Sequence, residues 1–235
     1  MGDSSGSVLV VLGMVAVVVV FVVGLWLQKK RHERFGAWAL ANGWTYAESE
    51  PGLTSMSSGQ PFGSGRARRA TEVLRGTFES RPVVSFSYAW TTGSGKNRTT
   101  HHAHVVALSL PAYLPTVEVT PEGLGAKLAK LVGVQDIQFE SDDFNRAYRV
   151  AAGDERTGHA IVHPRLMERL LRADAFDSAW RIDGTSILSW ETGTTDLDRL
   201  ASRLGLLAAV VDSIPRHVWL DHGYDPTPQG EATIA

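Results

Sequence analysis

Four residues late in the first half of the chain carry the most chemical potential: His101-His102-Ala103-His104. On a strand, residues i and i+2 share a face, so His102 and His104 could offer two imidazoles to one metal ion. A catalytic zinc needs a third ligand, for which His159, His163 or a carboxylate would have to be brought up, and an open position for water. The plain alternative is a polar strand edge on which His is tolerated. Glu140, Asp142 and Asp143 make an acidic turn, where paired carboxylates could do acid–base work or bind Ca²⁺. The EF-hand spacing of Gly and a bidentate Glu is missing, so we expect a capped surface turn, with Ser141 or Asp142 as the cap and Asp143 facing Arg146 or Arg149.

Gly93-Ser-Gly-Lys-Asn-Arg98 looks like a phosphate cradle but lacks its parts. A P-loop has a Gly four residues ahead of the Gly-Lys pair and Ser or Thr behind it; Trp90 and Asn97 occupy those positions. His32-Glu33 is followed by Arg34-Phe35-Gly36, which is not H-E-x-x-H, and no G-x-S-x-G is present. The chain has no cysteine, which excludes disulfides, thiolate metal sites and Cys nucleophiles. No cofactor is implied by any motif, and the balance of the residues leans away from an enzyme.

Whatever these residues do, a membrane positions them. Val8 to Leu27 is 20 residues without charge or proline. As a helix at about 1.5 Å per residue it spans the hydrocarbon core. Trp26 stands where an interfacial aromatic belongs. A signal peptide would need a basic leader and a shorter apolar core; here the leader is Met-Gly-Asp-Ser-Ser-Gly-Ser and Gln-Lys-Lys-Arg follows. Lys29, Lys30, Arg31 and Arg34 lie on the C-terminal side, so the positive-inside rule gives an outside N-terminus and a cytoplasmic domain in the cell (inner) membrane. The span holds no ionisable residue, so it is no conduit, and Gly13 and Gly24 are too far apart for a Gly-x-x-x-Gly face.

Charge is distributed unevenly. Residues 29–75 carry eight basic and four acidic side chains, net +4, and residues 76–235 carry 15 and 20, net −5. The cationic excess sits in Lys29, Lys30, Arg31 and Arg34 and again in Arg66, Arg68 and Arg69. We expect these residues to contact an anionic leaflet, the second group from a loop that folds back to the headgroups. The overall charge of −2 gives no reason to expect nucleic acid as a partner.

The remaining pattern predicts one domain. We divide the chain into a short extracytoplasmic start (1–7), the span (8–28), a juxtamembrane helix (29–43), a cytoplasmic domain (44–220) and a loose tail (221–235). The juxtamembrane helix continues from the span, with Phe35, Trp38 and Ala39 on one face. Trp44 to Tyr46 reads as a short strand, and 48–65, rich in Ser, Gly and Pro, as a loop. Strands are expected at 71–79, 82–90, 102–110 and 114–119, with Val84, Phe86 and Tyr88 opposite Ser85 and Ser87. A helix follows from Pro121 to Val132, then strand–turn–strand over 137–150 and a helix over 154–173 broken at Pro164. Residues 179–191 read as a hairpin about Asp183-Gly184-Thr185.

The last helix should start at Thr194 or Thr195 and end before Pro215. Its stripe of Leu197, Leu200, Leu204, Leu207 and Val211 is either core or a surface for a membrane or cytoplasmic protein, with Leu204, Leu207 and Val211 the candidate contacts. Strands beside strands with helices at the ends make the fold α+β, a mainly antiparallel sheet with packed helices behind a transmembrane helix.

Phe139-Glu-Ser-Asp-Asp-Phe-Asn-Arg-Ala-Tyr-Arg-Val150, followed by His163-Pro-Arg-Leu-Met-Glu-Arg-Leu-Leu171, resembles the core of a mainly actinobacterial family of membrane-anchored domains of unknown function. Gly43-Trp44-x-Tyr46 and Pro61-Phe62-Gly63 are similar to its members too. The resemblance spans Arg34 to Glu191. It implies a membrane protein with a cytoplasmic domain and brings no activity or catalytic residue. The function expected is therefore a non-enzymatic binding or scaffold module at the inner membrane face; the alternative is a tethered metal-dependent hydrolase using His102 and His104.

Overall fold

The computed structural model describes residues 4–122, 135–173, 175 and 178–227. Its first element, α1 (Ser4–Ala41), is a single helix of 38 residues that carries the apolar run and the juxtamembrane segment without a break. From Leu12 it is long and apolar enough to cross a membrane, and none of that apolar window is buried in the protein. Only its last turns enter the fold, where Phe35 and Ala39 are core residues.

A seven-stranded antiparallel sheet follows: β1 (Thr45–Ser49), β2 (Arg66–Phe78), β3 (Arg81–Thr92), β4 (Thr99–Pro121), β5 (Gln135–Ile137), β6 (Tyr148–Ala152) and β7 (Trp180–Thr192). The order is β1-β2-β3-β4-β6-β5, and β7 pairs with β4 as well. The helices are α2 (Asp142–Ala147), α3 (Glu155–Ile161), α4 (Pro164–Leu170), α5 (Leu200–Ser213) and α6 (Arg216–Asp221). The architecture is α+β, as the pattern of strands and terminal helices predicts.

β4 is the spine, 23 residues in one strand where two were expected. Pro111 and Pro115 lie within it, although proline cannot donate to a ladder. The strand instead absorbs them as register shifts between Ser109 and Leu114 and between Leu114 and Val117. β7 yields at the same level. Gly184, at φ +65°, lies opposite Leu114, so the expected hairpin at 183–185 is a kink inside one continuous strand. Two prolines and one glycine thus bend both strands together.

The two faces of the sheet have different covers. Leu74, Val83, Val106 and Leu108 face the helices and join a core with Phe144, Leu166, Leu170, Leu204 and Leu207. Val84, Phe86, Tyr88, Val105 and Leu188 face the other way, under Leu53 and Phe62 from the 50–65 segment. The alternation of Val84, Phe86 and Tyr88 against Ser85 and Ser87 is the strand period at work.

Three other expectations need correction, and two open readings are decided. Residues 66–70, expected in a loop, open β2. At the acidic turn Ser141 is the cap, its Oγ accepting from Phe144 N at 3.3 Å, and Asp143 pairs with Arg146, as expected; the turn is the short helix α2. The last helix begins at Leu200, not at Thr194 or Thr195, and no side chain caps it. Leu204, Leu207 and Val211 are 1%, 0% and 5% exposed, so their stripe is core and offers no free surface to a partner. Pro121, expected to open a helix, ends β4 instead and pairs with Tyr148; the rest of that helix, from 123 to 132, lies outside the described residues, as does the tail from 228.

Candidate membrane-proximal surface and buried polar sites

β1 runs back along α1 toward its apolar run, and three contacts hold β1 and β2 in step with the helix. The Trp44 indole meets that of Trp38 edge-on at 5.5 Å, and Trp44 N donates to Ala39 O at 2.8 Å. Next, Tyr46 packs on Phe35 and its hydroxyl hydrogen-bonds His32 Nδ1. Last, Arg31 meets Glu72 of β2, with Nη2 donating to Oε2 at 2.9 Å and Nε to Oε1. Glu72 stands in a bulge between Thr71 and Leu74 at φ +54°, a backbone position that a non-glycine residue adopts at a cost. The carboxylate is turned onto the helix at that expense.

The expected lipid contacts divide. Lys29 forms an i,i+4 pair with Glu33 at 3.9 Å, and Lys30 lies over the Trp26 ring at 4.0 Å. Arg31 is engaged with Glu72, and Arg34 is exposed. Arg66, Arg68 and Arg69 are exposed on β2, with Arg66 Nη2 donating to Gly93 O at 2.8 Å and Arg68 to the carbonyls of Ser64 and Gly65.

The histidines do not converge. His102 is exposed, whereas His104 is buried. His104 Nδ1 accepts from Asp196 N at 3.4 Å, so Nε2 carries the proton and donates to Ser85 Oγ at 2.8 Å. Burial, with the charges of Arg203 and Arg199 adding to it, lowers the His104 pKa to about 3. Such an imidazole stays neutral, and in a site closed to solvent it is poorly matched to proton transfer at pH 7. His163 uses both nitrogens, accepting from Leu166 N at 3.3 Å and donating to Ser213 O at 2.9 Å. His159 lies 3.7 Å from Glu155. Among the described residues no three His, Asp or Glu side chains are grouped to hold a metal ion.

Two buried arginines escaped the sequence reading. Arg181 of β7 is 1% exposed and Glu118 of β4 is 5%. Arg181 Nε donates to Glu118 Oε2 at 2.6 Å, and Nη1 donates to Ser57 Oγ at 2.9 Å. Ser57 Oγ in turn donates to Asp183 Oδ2 at 2.7 Å, which also accepts from Ser58 N at 3.2 Å. A Cβ on Gly59 would stand 2.0 Å from the guanidinium, so only glycine lets the loop close over it. This network pins the 50–65 cover to the sheet. On the helix face, Arg203 of α5 donates through Nη2 to His104 O at 3.2 Å and Ser189 Oγ at 3.3 Å, while Nε and Nη1 have no partner. Neither cluster had a spacing signal, since each joins residues far apart in the chain.

No family model and no curated protein matches the sequence. Among solved structures, the chain is similar to the crystal structure of the mycobacterial trehalose monomycolate transport factor A, TtfA. The TM-score is 0.58 at 13% identity, over 77% of this chain and 93% of that one. The likeness is one of fold, and the similar protein is, like the resembled family, actinobacterial.

Proposed function

We propose that this is a single-pass protein of the inner membrane, with its N-terminus outside, whose cytoplasmic α+β domain holds a protein partner at the membrane face without catalysing a reaction. The carrying observation is the junction. α1 leaves its apolar run and enters the core as one helix, with Phe35 and Ala39 buried and Arg31 bonded to Glu72. A domain joined in this way keeps a fixed orientation to the bilayer, which suits a module that must present one surface to a neighbour in the same membrane. The basic flank of Lys29, Lys30, Arg31 and Arg34 supports the direction of insertion. The fold shared with a protein described as a transport factor supports an accessory role beside a membrane transport process.

In-cell cross-linking of the full chain, followed by purification from the membrane, tests this. The expected result is one reproducible membrane protein recovered in near-equal amount, retained when residues 8–27 are exchanged for an unrelated apolar span. Recovery of the chain alone would overturn the proposal.

A further inference from the structure

The rise of β2 along α1 has a geometric consequence. Trp44 lies level with Trp38, and Glu72 level with Arg31. In that interval the helix climbs seven residues, about 10 Å at 1.5 Å each. The β1–β2 ladder climbs a similar distance at about 3.3 Å per residue, since Glu72 falls between Ala47 and Ser49 in register. Strand and helix therefore ascend nearly side by side. Above Glu72 the strand continues six residues to Arg66, about 20 Å of extended chain. Only four helical residues, about 6 Å, separate Arg31 from Leu27, the last of the apolar run. β2 is long enough to reach the headgroups.

It does not arrive alone. Arg66 pairs with Thr91 in register, so the β3–β4 hairpin tip ends at the same level, and the Arg66–Gly93 hydrogen bond fastens the two. That tip carries Lys96 and Arg98, both exposed. No acidic residue occurs between Glu50 and Glu72, or between Glu79 and Glu118. Arg66, Arg68, Arg69, Lys96 and Arg98 form no ion pair among the described residues; Glu50, whose N donates to Ala70 O at 3.1 Å, is itself paired with Arg75, and Glu191 is bonded to Arg199. Five unneutralised cations on the membrane-side edge are what an anionic surface would recognise.

We infer that the β2 start and the β3–β4 hairpin tip form a second membrane contact, binding anionic phospholipid headgroups of the leaflet from which α1 emerges. This rests on α1 being the span, as the proposed function has it. Each basic group near such a leaflet strengthens the contact by roughly fivefold. The hairpin then acts as a foot beside the anchor, and two points of attachment fix the tilt of the sheet.

The absence of cysteine allows a clean test. Ser94, exposed at the tip, is changed to Cys in the full chain and labelled with a fluorophore. The protein is then inserted in nanodiscs containing spin-labelled headgroups. Strong quenching is expected in discs of phosphatidylcholine with phosphatidylglycerol. It should fall to background in phosphatidylcholine alone, at high salt, and on combining Arg68→Glu, Arg69→Glu, Lys96→Glu and Arg98→Glu in a variant with unchanged melting temperature. Arg66 is left intact because it holds the tip. Equal quenching in all four conditions, or none in any, overturns the inference. Failure of the chain to enter discs at all is a separate readout, and it would contradict the anchor itself.

Discussion

Arg31 of α1 and Glu72 of β2, 41 residues apart in sequence, close on each other through two hydrogen bonds and so lock the long apolar helix to the sheet. The guanidinium side is 40% exposed and the carboxylate 11%, so solvent screens part of the attraction. What the pair supplies is alignment. Glu72 occupies a positive-φ position to make it.

This coupling is measurable. In a double-mutant cycle of Arg31→Ala and Glu72→Ala, followed by urea unfolding of the full chain in detergent, the interaction should amount to about 1 kcal/mol. Additive effects of the two changes would mean that the pair is incidental.

His104 should leave a mark on stability as a function of pH. Its pKa is about 3 when folded and near the ordinary 6.5 when unfolded. Between those values only the unfolded chain takes up the proton. Stability is therefore full above pH 6.5 and falls as pH drops toward 3, by about 1.4 kcal/mol per unit from this residue. His104→Gln should flatten the slope between pH 6.5 and 4.5 by that amount. An unchanged slope would show that His104 charges in the folded protein.

Arg203 is a buried cation with two donors unused. Burial pulls its pKa down to about 10, which measures the poor solvation of its charge. Arg203→Met keeps most of the packing and removes the charge, so it should be neutral or stabilising by about 1–3 kcal/mol in thermal unfolding. The same change should raise the His104 pKa, because Arg203 helps to hold it low. A loss of stability above about 2 kcal/mol would show that a partner of Arg203 matters more than its geometry indicates.

Arg181 behaves differently, since its charge is met. Glu118→Ala leaves it buried without a carboxylate beside it and should cost about 3–5 kcal/mol. Gly59→Ala should prise the 50–65 cover from the sheet, because its methyl group would overlap the guanidinium. Limited proteolysis should then cut within that segment in both variants and spare the parent protein. Resistance in both would mean that Phe62 and Leu53 hold the cover without the network.

Periodicity carried the architecture well where each strand has one register. Val84, Phe86 and Tyr88 announced β3, and Phe35 with Ala39 announced the entry of α1 into the core. It failed where a local signal met a long-range one. Pro111, Pro115 and Gly184 each suggest a chain break, yet pairing along β4 and β7 outweighs them and converts the breaks into bends. Thr194 and Thr195 look like caps, but Asp196 is held in the turn by His104 and the helix starts later. The buried clusters were invisible for another reason. Glu118, Arg181 and Ser57 meet only after the sheet and its cover have formed, and no spacing in the chain encodes that meeting. The basic residues at 66–69 stand out in the sequence by their charge, while Lys96 and Arg98 are brought beside them only by the register of β2 and β3.

The side of the membrane on which the sheet lies decides the rest. With Ser94→Cys as the sole thiol, a membrane-impermeant maleimide applied to intact spheroplasts should leave the chain unlabelled, and should label it fully once the membrane is permeabilised. Labelling of intact spheroplasts would place the domain outside the cell and contradict a cytoplasmic binding module.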